Sequence, residues 1–184
     1  FLTLSSLVVA GCVTPQSVVQ PPTKPTYAAA TQHPFLHSSR SAVDELLRGW
    51  DVSQLQQSPV LVATIVNVNK LDHSAPLGRT LSELYASQLV SQGLNVKEMK
   101  LRGTVYVKED TGELLLSREI RDIATQHSAA VVLVGTYSPA ARYTYISLKL
   151  VRTADSRILR SYDYALPNDL DVQRLLITAG TPIR

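Results

Sequence analysis

Cys12 is the single thiol of a 184-residue chain, and a lone thiol cannot close an internal disulfide. It ends an apolar run, Phe1 to Leu7 and then Val8-Val9-Ala10-Gly11, with two small residues directly before it. That placement suits covalent attachment of a lipid to the sulfur. Small side chains there let an enzyme at the bilayer surface draw the neighbouring backbone into a tight site. Other reactive combinations are sparse. Asp72, His73 and Ser74 are adjacent, whereas a nucleophilic triad needs groups that converge in space with an independent orienting partner. The chain contains no GxSxG or HExxH pattern, and His33 and His37 lie in or beside a proline-rich stretch. No catalytic or metal-ligating set and no cofactor is expected, and the chain reads as a non-enzyme.

The segment around Cys12 is similar to a bacterial lipoprotein lipobox. The resemblance implies a diacylglyceryl group on the sulfur, cleavage between Gly11 and Cys12, and acylation of the new amino terminus. More than one acyl chain is what stable anchoring requires. No Met or basic segment precedes Phe1, so residues 1–11 are expected to be a signal peptide truncated at its start. Val13 stands where an Asp marks inner-membrane retention in diderm lipoproteins, so the expected anchor is the outer membrane. Residues 12–38 hold Pro15, Pro21, Pro22, Pro25 and Pro34, no glycine and one charge, Lys24. This composition predicts a disordered, partly polyproline tether with a coil reach of roughly 25 to 30 Å. The net charge of +3 is too small and too scattered to indicate nucleic acid.

Residues 39–184 have the length of one domain. Val43, Leu46, Leu47 and Trp50 fall on one helical face. Residues 60–66 form a continuous β-branched run, predicting a strand buried on both faces. Leu77, Leu81, Leu84, Tyr85 and Leu89 predict a second helix, capped by Ser74, with Pro76 in its first turn and Gly93 as its stop. Residues 95–101 read as a strand nearer an edge, 104–107 as extended, and Asp110-Thr111-Gly112 as a turn. Ser117 is the expected cap of a third helix through Ile120, Ile123 and Ala124, and residues 130–134 a second buried strand. Thr144, Ile146, Leu148 and Leu150 then alternate with Tyr143, Tyr145, Ser147 and Lys149, and the chain returns over 157–166 after a turn at Ala154–Ser156. That predicts a hairpin with one buried face, with a short helix after Asn168. The expected fold is α/β: a mixed β-sheet covered by helices, with a C-terminal β-hairpin, after a disordered N-terminal tether.

Four blocks, Val62–Val68, Leu77–Glu83, Gly112–Arg118 and Val132–Tyr137, resemble in order and spacing the FlgO family of flagellar outer-membrane lipoproteins. The resemblance covers about residues 42–166. It implies a non-enzymatic outer-membrane lipoprotein needed for motility, a structural component at the flagellar base. Its implied partners are basal-body or outer-membrane ring proteins, with a second copy of the chain as a candidate. The domain is also similar to those of envelope lipoproteins that activate cell-wall synthases or build secretion assemblies, which is the alternative function.

Eight residues are candidates for partner contact, each with a structural reading beside it. Asn67 ends a buried strand where α/β sheets keep sites, or satisfies loop backbone. Gly78 and Arg79 sit in a helix first turn, or serve close packing and an ion pair with Glu83. Gly135 marks a backbone approach. Tyr143, Tyr145, Tyr162 and Tyr164 are expected to form a cross-strand ladder on the outer face of the hairpin, or to pack beneath a helix.

Overall fold

The computed structural model describes residues 24–55, 58–99, 106–108, 114–116 and 118–177. The signal-peptide and lipidation expectations at residues 1–12 lie outside them, as do the Ser117 cap and the turn at Asp110-Thr111-Gly112. The chain divides into two compact units between Thr31 and Gln32. The described part of the first holds one exposed helical turn, α1 (Tyr27–Thr31).

The second unit opens with α2 (Pro34–Leu47). This helix starts inside the stretch expected to be tether, because Pro34 occupies its first turn, where a missing N–H costs nothing. His33 accepts from the Phe35 N–H through Nδ1 (3.3 Å), satisfying another free donor. Ala42, Val43, Leu46 and Leu47 form its buried stripe, and Trp50, expected on that stripe, falls beyond Gly49, whose φ of +67° ends the helix.

A short 3₁₀ turn (Val52–Leu55) leads to β1 (Val60–Ala63), β2 (Val66–Asn67) and α3 (Pro76–Ser91). The run expected as one strand is therefore broken at Thr64 and Ile65. β3 (Val96–Met99) follows, then β4 (Tyr106–Lys108) and β5 (Leu114–Leu116), which pair antiparallel as a separate two-stranded sheet. β5 was not foreseen. After α4 (Arg118–Gln126) come β6 (Val131–Pro139), β7 (Tyr143–Arg152), β8 (Ile158–Pro167) and α5 (Leu170–Leu176). Asp169 caps α5 by accepting from the Val172 N–H (2.8 Å).

The main sheet has six strands in the order β3-β1-β6-β7-β8, with β2 continuing β1 along β6. β1 is parallel to β3 and β6, while β6, β7 and β8 form antiparallel pairs. This is the mixed α/β architecture expected, with its C-terminal hairpin. One face carries the larger core, where Val60, Val62, Leu133, Ile146, Leu148 and Leu150 meet α2 and α3. The other carries a smaller core of Leu61, Ala63, Val132 and Val134 beneath Ile120 and Ala124 of α4. Alternation along the strands divides the two sets. No helix among the described residues is long and apolar enough to cross a membrane.

A chain of hydroxyls ties β8 to both helices of the larger core. Tyr85 of α3 and Tyr164 of β8 lie 2.5 Å apart at their oxygens, Tyr164 donates to Ser39 of α2 (3.5 Å), and Ser39 donates to the Phe35 carbonyl (2.7 Å). Burial raises the pKa of both tyrosines above the ordinary value, Tyr85 the more strongly. At the tip of the hairpin Arg152 grips Asp155 through two bonds (2.9 and 2.7 Å). Those bonds, with the Arg157 N–H, hold the Asp155 carboxyl at about 2.

The sign of the tyrosine effect gives an expected pH dependence. Unfolded tyrosines ionise near pH 10 (about 10), whereas the buried pair is held neutral, so stability is intact below that pH and falls as pH rises through it. Tyr85→Phe is expected to cost about 1 kcal/mol at neutral pH and to reduce the alkaline loss. Urea denaturation across the alkaline range checks both.

Candidate functional site

The break between β1 and β2 is where the motif residues converge. Opening a strand at Thr64 and Ile65 leaves buried backbone groups that need partners, and side chains from α3 and the loop before it supply them. Ser82 accepts from the Ile65 N–H (3.0 Å) and donates to the Gly78 carbonyl (2.8 Å). Ser74 donates to the Ile65 carbonyl (2.7 Å). Ser74 therefore braces the strand break, and the residue at the helix N-cap is Ala75, which makes no side-chain cap bond. The Ala75 N–H is instead satisfied by the hydroxyl of buried Tyr137 (2.9 Å).

Gly78 lies under this junction. A Cβ there would sit 2.0 Å from the Ile65 carbonyl oxygen and 2.3 Å from Ser74 Oγ, so only glycine lets the first turn of α3 reach the strand. Gly135 faces the same place from β6. Its Cβ would meet the Ser147 carbonyl at 2.6 Å and Ile65 Cδ1 at 2.9 Å. Both glycines thus serve close backbone approach.

Asn67 and Arg79 finish the adjoining loop. The Asn67 side chain accepts from the Asn69 N–H (2.9 Å), and the Asn67 carbonyl from Lys70 (3.0 Å), an Asx-type turn. Arg79 is exposed and donates to the Ser74 carbonyl (3.0 Å); this contact replaces the expected ion pair with Glu83. Asp72 and His73 lie in the same loop, between β2 and α3, and Ser74 is committed to the Ile65 carbonyl. The sequence reading missed Ser82, Ile65 and Tyr137 as partners. A signal for two of the bracing residues was present: Ser74, Gly78 and Ser82 recur every four residues, marking one face of small side chains.

The tyrosine ladder divides in two. Tyr162 and Tyr164 stack on each other with ring centres 6.4 Å apart, and they pack against the larger core beneath the helices. Tyr143 and Tyr145 lie on the opposite face and are 46% and 55% exposed. The cause is a register shift between Leu150 and Val151. Val151 pairs with Ile158, but Leu150 pairs with Arg160, so Leu159 is an extra residue in β8. Without it Tyr145 would face Tyr164. With it Tyr145 faces Ala165, and Tyr164 faces Ile146.

The surface that remains is the outer face of β7 and β8. Tyr143 and Tyr145 there share a face with Ser147, Lys149, Ser161, Asp163 and Ala165. A shallow concavity of about 550 Å³ elsewhere, lined by Val52, Leu55, Ser58 and Leu94 among others, has no titratable side chain in its described lining. Among the described residues no group of three or more His, Cys, Asp or Glu is placed to hold a metal.

The FlgO protein family model matches residues 40–171, from within α2 into α5. The chain belongs to the FlgO family. Three of the four blocks that carry the resemblance meet at the strand break just described. No curated protein matches the chain. Among solved structures, the FlgO domain is similar to the LpoB C-terminal domain from Escherichia coli, at 18% identity and a TM-score of 0.51, covering 73% of this chain and 98% of that one. The LpoB C-terminal domain from Salmonella enterica gives 15% identity and 0.48, covering 70% and 94%. A PelC dodecamer from Paraburkholderia phytofirmans gives 13% identity and 0.42, covering 61% and 73%. At these identities the first likeness speaks to the fold alone.

Gly78→Ala is expected to destabilise the domain by about 3 kcal/mol, since the clash is with backbone. Arg79→Ala, at an exposed position, should change stability by about 0.5 kcal/mol or less. Thermal unfolding of the two variants side by side tests the assignment; equal losses would contradict it.

Proposed function

We propose that this chain is a lipoprotein held in the outer membrane through Cys12, facing the periplasm, and that its domain is a non-enzymatic structural component of the flagellar base. The observation that carries this reading is the family match over residues 40–171 on a chain that also presents Cys12 after Ala10 and Gly11. The geometry supports the non-enzymatic part. The residues that mark the family brace a strand break, and the exposed surface is an open sheet face with Tyr143 and Tyr145. Tyrosines of this kind offer large contact area with little side-chain entropy to lose on binding. Candidate partners are other basal-body or outer-membrane ring proteins. The alternative is an envelope lipoprotein that activates a cell-wall synthase or joins a secretion assembly.

Deletion of the gene in its own organism separates these readings. Lost swimming with sparse or defective filaments, restored by wild type and not by Cys12→Ser, is the expected result. Normal swimming and normal filaments would reject the flagellar role in favour of the alternative. Tyr143→Ala combined with Tyr145→Ala should leave the protein folded and in the membrane fraction while lowering motility; full motility would remove these residues from the partner surface.

A further inference from the structure

The two edges of the main sheet, β3 and β8, carry opposite charge patterns. On β8, Asn168 donates to the Arg142 carbonyl (2.9 Å), which fixes the parity of the β7–β8 ladder. The bonded residues of β8 are then Arg160, Tyr162, Tyr164 and Leu166. The N–H and C=O groups of Ser161, Asp163 and Ala165 point away from the sheet. Pro167 and the extra Leu159 blunt the two ends of this edge, leaving the exposed middle as a template. On β3, the Val60 N–H bonds the Asn95 carbonyl (2.8 Å), and Val60 pairs with Val96. In a parallel ladder this leaves Val96 and Glu98 with outward backbone groups.

Side-chain faces follow from the cores. Val96 packs on the larger core and Met99 on the smaller one, so Glu98 lies on the α2–α3 face and Lys97 on the α4 face. On β8, Tyr162 and Tyr164 pack on the larger core. Arg160 shares their face, donating to the Leu46 carbonyl (3.2 Å) and to that of Arg48. Asp163 lies opposite, on the open face. Each face therefore has an anion at one edge of the sheet and a cation at the other.

We propose that copies of this chain associate head to tail, with β8 of one copy adding in parallel to β3 of the next, so that the sheet continues with both faces preserved. Both strands run in the direction of β6, which is what a parallel junction between like-oriented copies requires. The outward groups set the register in steps of two residues. With Glu98 opposite Tyr162, the Glu98 N–H meets the Ser161 carbonyl and the Asp163 N–H meets the Glu98 carbonyl. Lys97 then lies opposite Ser161 and diagonal to Asp163, and Glu98 lies diagonal to Arg160, both within cross-strand reach. Pairing β8 with another β8 would gather the Asp163 residues, and pairing β3 with another β3 would gather like charges on both faces. Repetition of a head-to-tail contact closes a ring or grows a filament. The inference goes beyond the flagellar reading and stands or falls apart from it.

The test uses the full chain carrying Cys12→Ser, so that introduced thiols are the only ones. Lys97→Cys and Ser161→Cys are made singly and together, with circular dichroism to verify folding. Within one copy the two positions are four strands apart, about 19 Å, beyond disulfide reach. Under mild oxidation the double variant should give a disulfide-linked ladder of dimers, trimers and higher species on a denaturing non-reducing gel, while each single variant stays uncrosslinked. A disulfide-linked dimer from Ser161→Cys alone would overturn the proposal in favour of a two-fold contact, and an uncrosslinked double variant would overturn it outright. In sedimentation of the chain carrying Cys12→Ser alone, adding Asp163→Lys should weaken association about fivefold. Further addition of Lys97→Asp should restore it; failure of the restoration would reject the charge pairing.

Discussion

A buried peptide group needs hydrogen-bond partners, and the break in the first strand at Thr64 and Ile65 places that demand at the centre of the sheet. The rest of the domain is arranged around meeting it. Ser82 and Ser74 reach the Ile65 N–H and carbonyl, which requires the first turns of α3 to lie almost against the strand. That distance in turn excludes any side chain at position 78. Gly135 clears space for Ile65 from the neighbouring strand, and Tyr137 returns from β6 to satisfy the Ala75 N–H. A single peptide thus links two strands, a helix and the loop between them.

The same demand accounts for polar residues that stand in the position of a ligand site. Strand ends and helix starts are where α/β proteins commonly bind small molecules, and Asn67, Gly78 and Arg79 stand there. Their polar groups are turned toward the protein's own backbone: Asn67 to the Asn69 N–H, Arg79 to the Ser74 carbonyl. The residues quoted from these blocks are tied to how the domain is built.

Much of the architecture was legible because the relevant forces act along short stretches of sequence. Continuous β-branched runs predicted central strands, the spacing of Leu77, Leu81, Tyr85 and Leu89 predicted α3, and alternation from Tyr143 predicted the hairpin and its buried face. The features that escaped depend on contacts between distant residues or on a one-residue count. Nothing local in residues 60–66 shows that serines seventeen or nine positions away will satisfy an interrupted strand. Pro34 read as part of a tether because five prolines mask an apolar stripe, although a proline in a first turn is compatible with a helix. The Tyr ladder failed on register: the faces of β7 were read correctly, but one extra residue in β8 exchanges its faces.

That extra residue, Leu159, separates two roles on one hairpin. Two neighbouring strands each carry a pair of tyrosines at the same spacing, yet the bulge commits Tyr162 and Tyr164 to the interior and leaves Tyr143 and Tyr145 outside. Substitutions at the outer pair are therefore decoupled from the hydroxyl chain through Tyr85, Tyr164 and Ser39 that joins sheet to helices. The outer pair can be exchanged without disturbing the contacts that join sheet to helices.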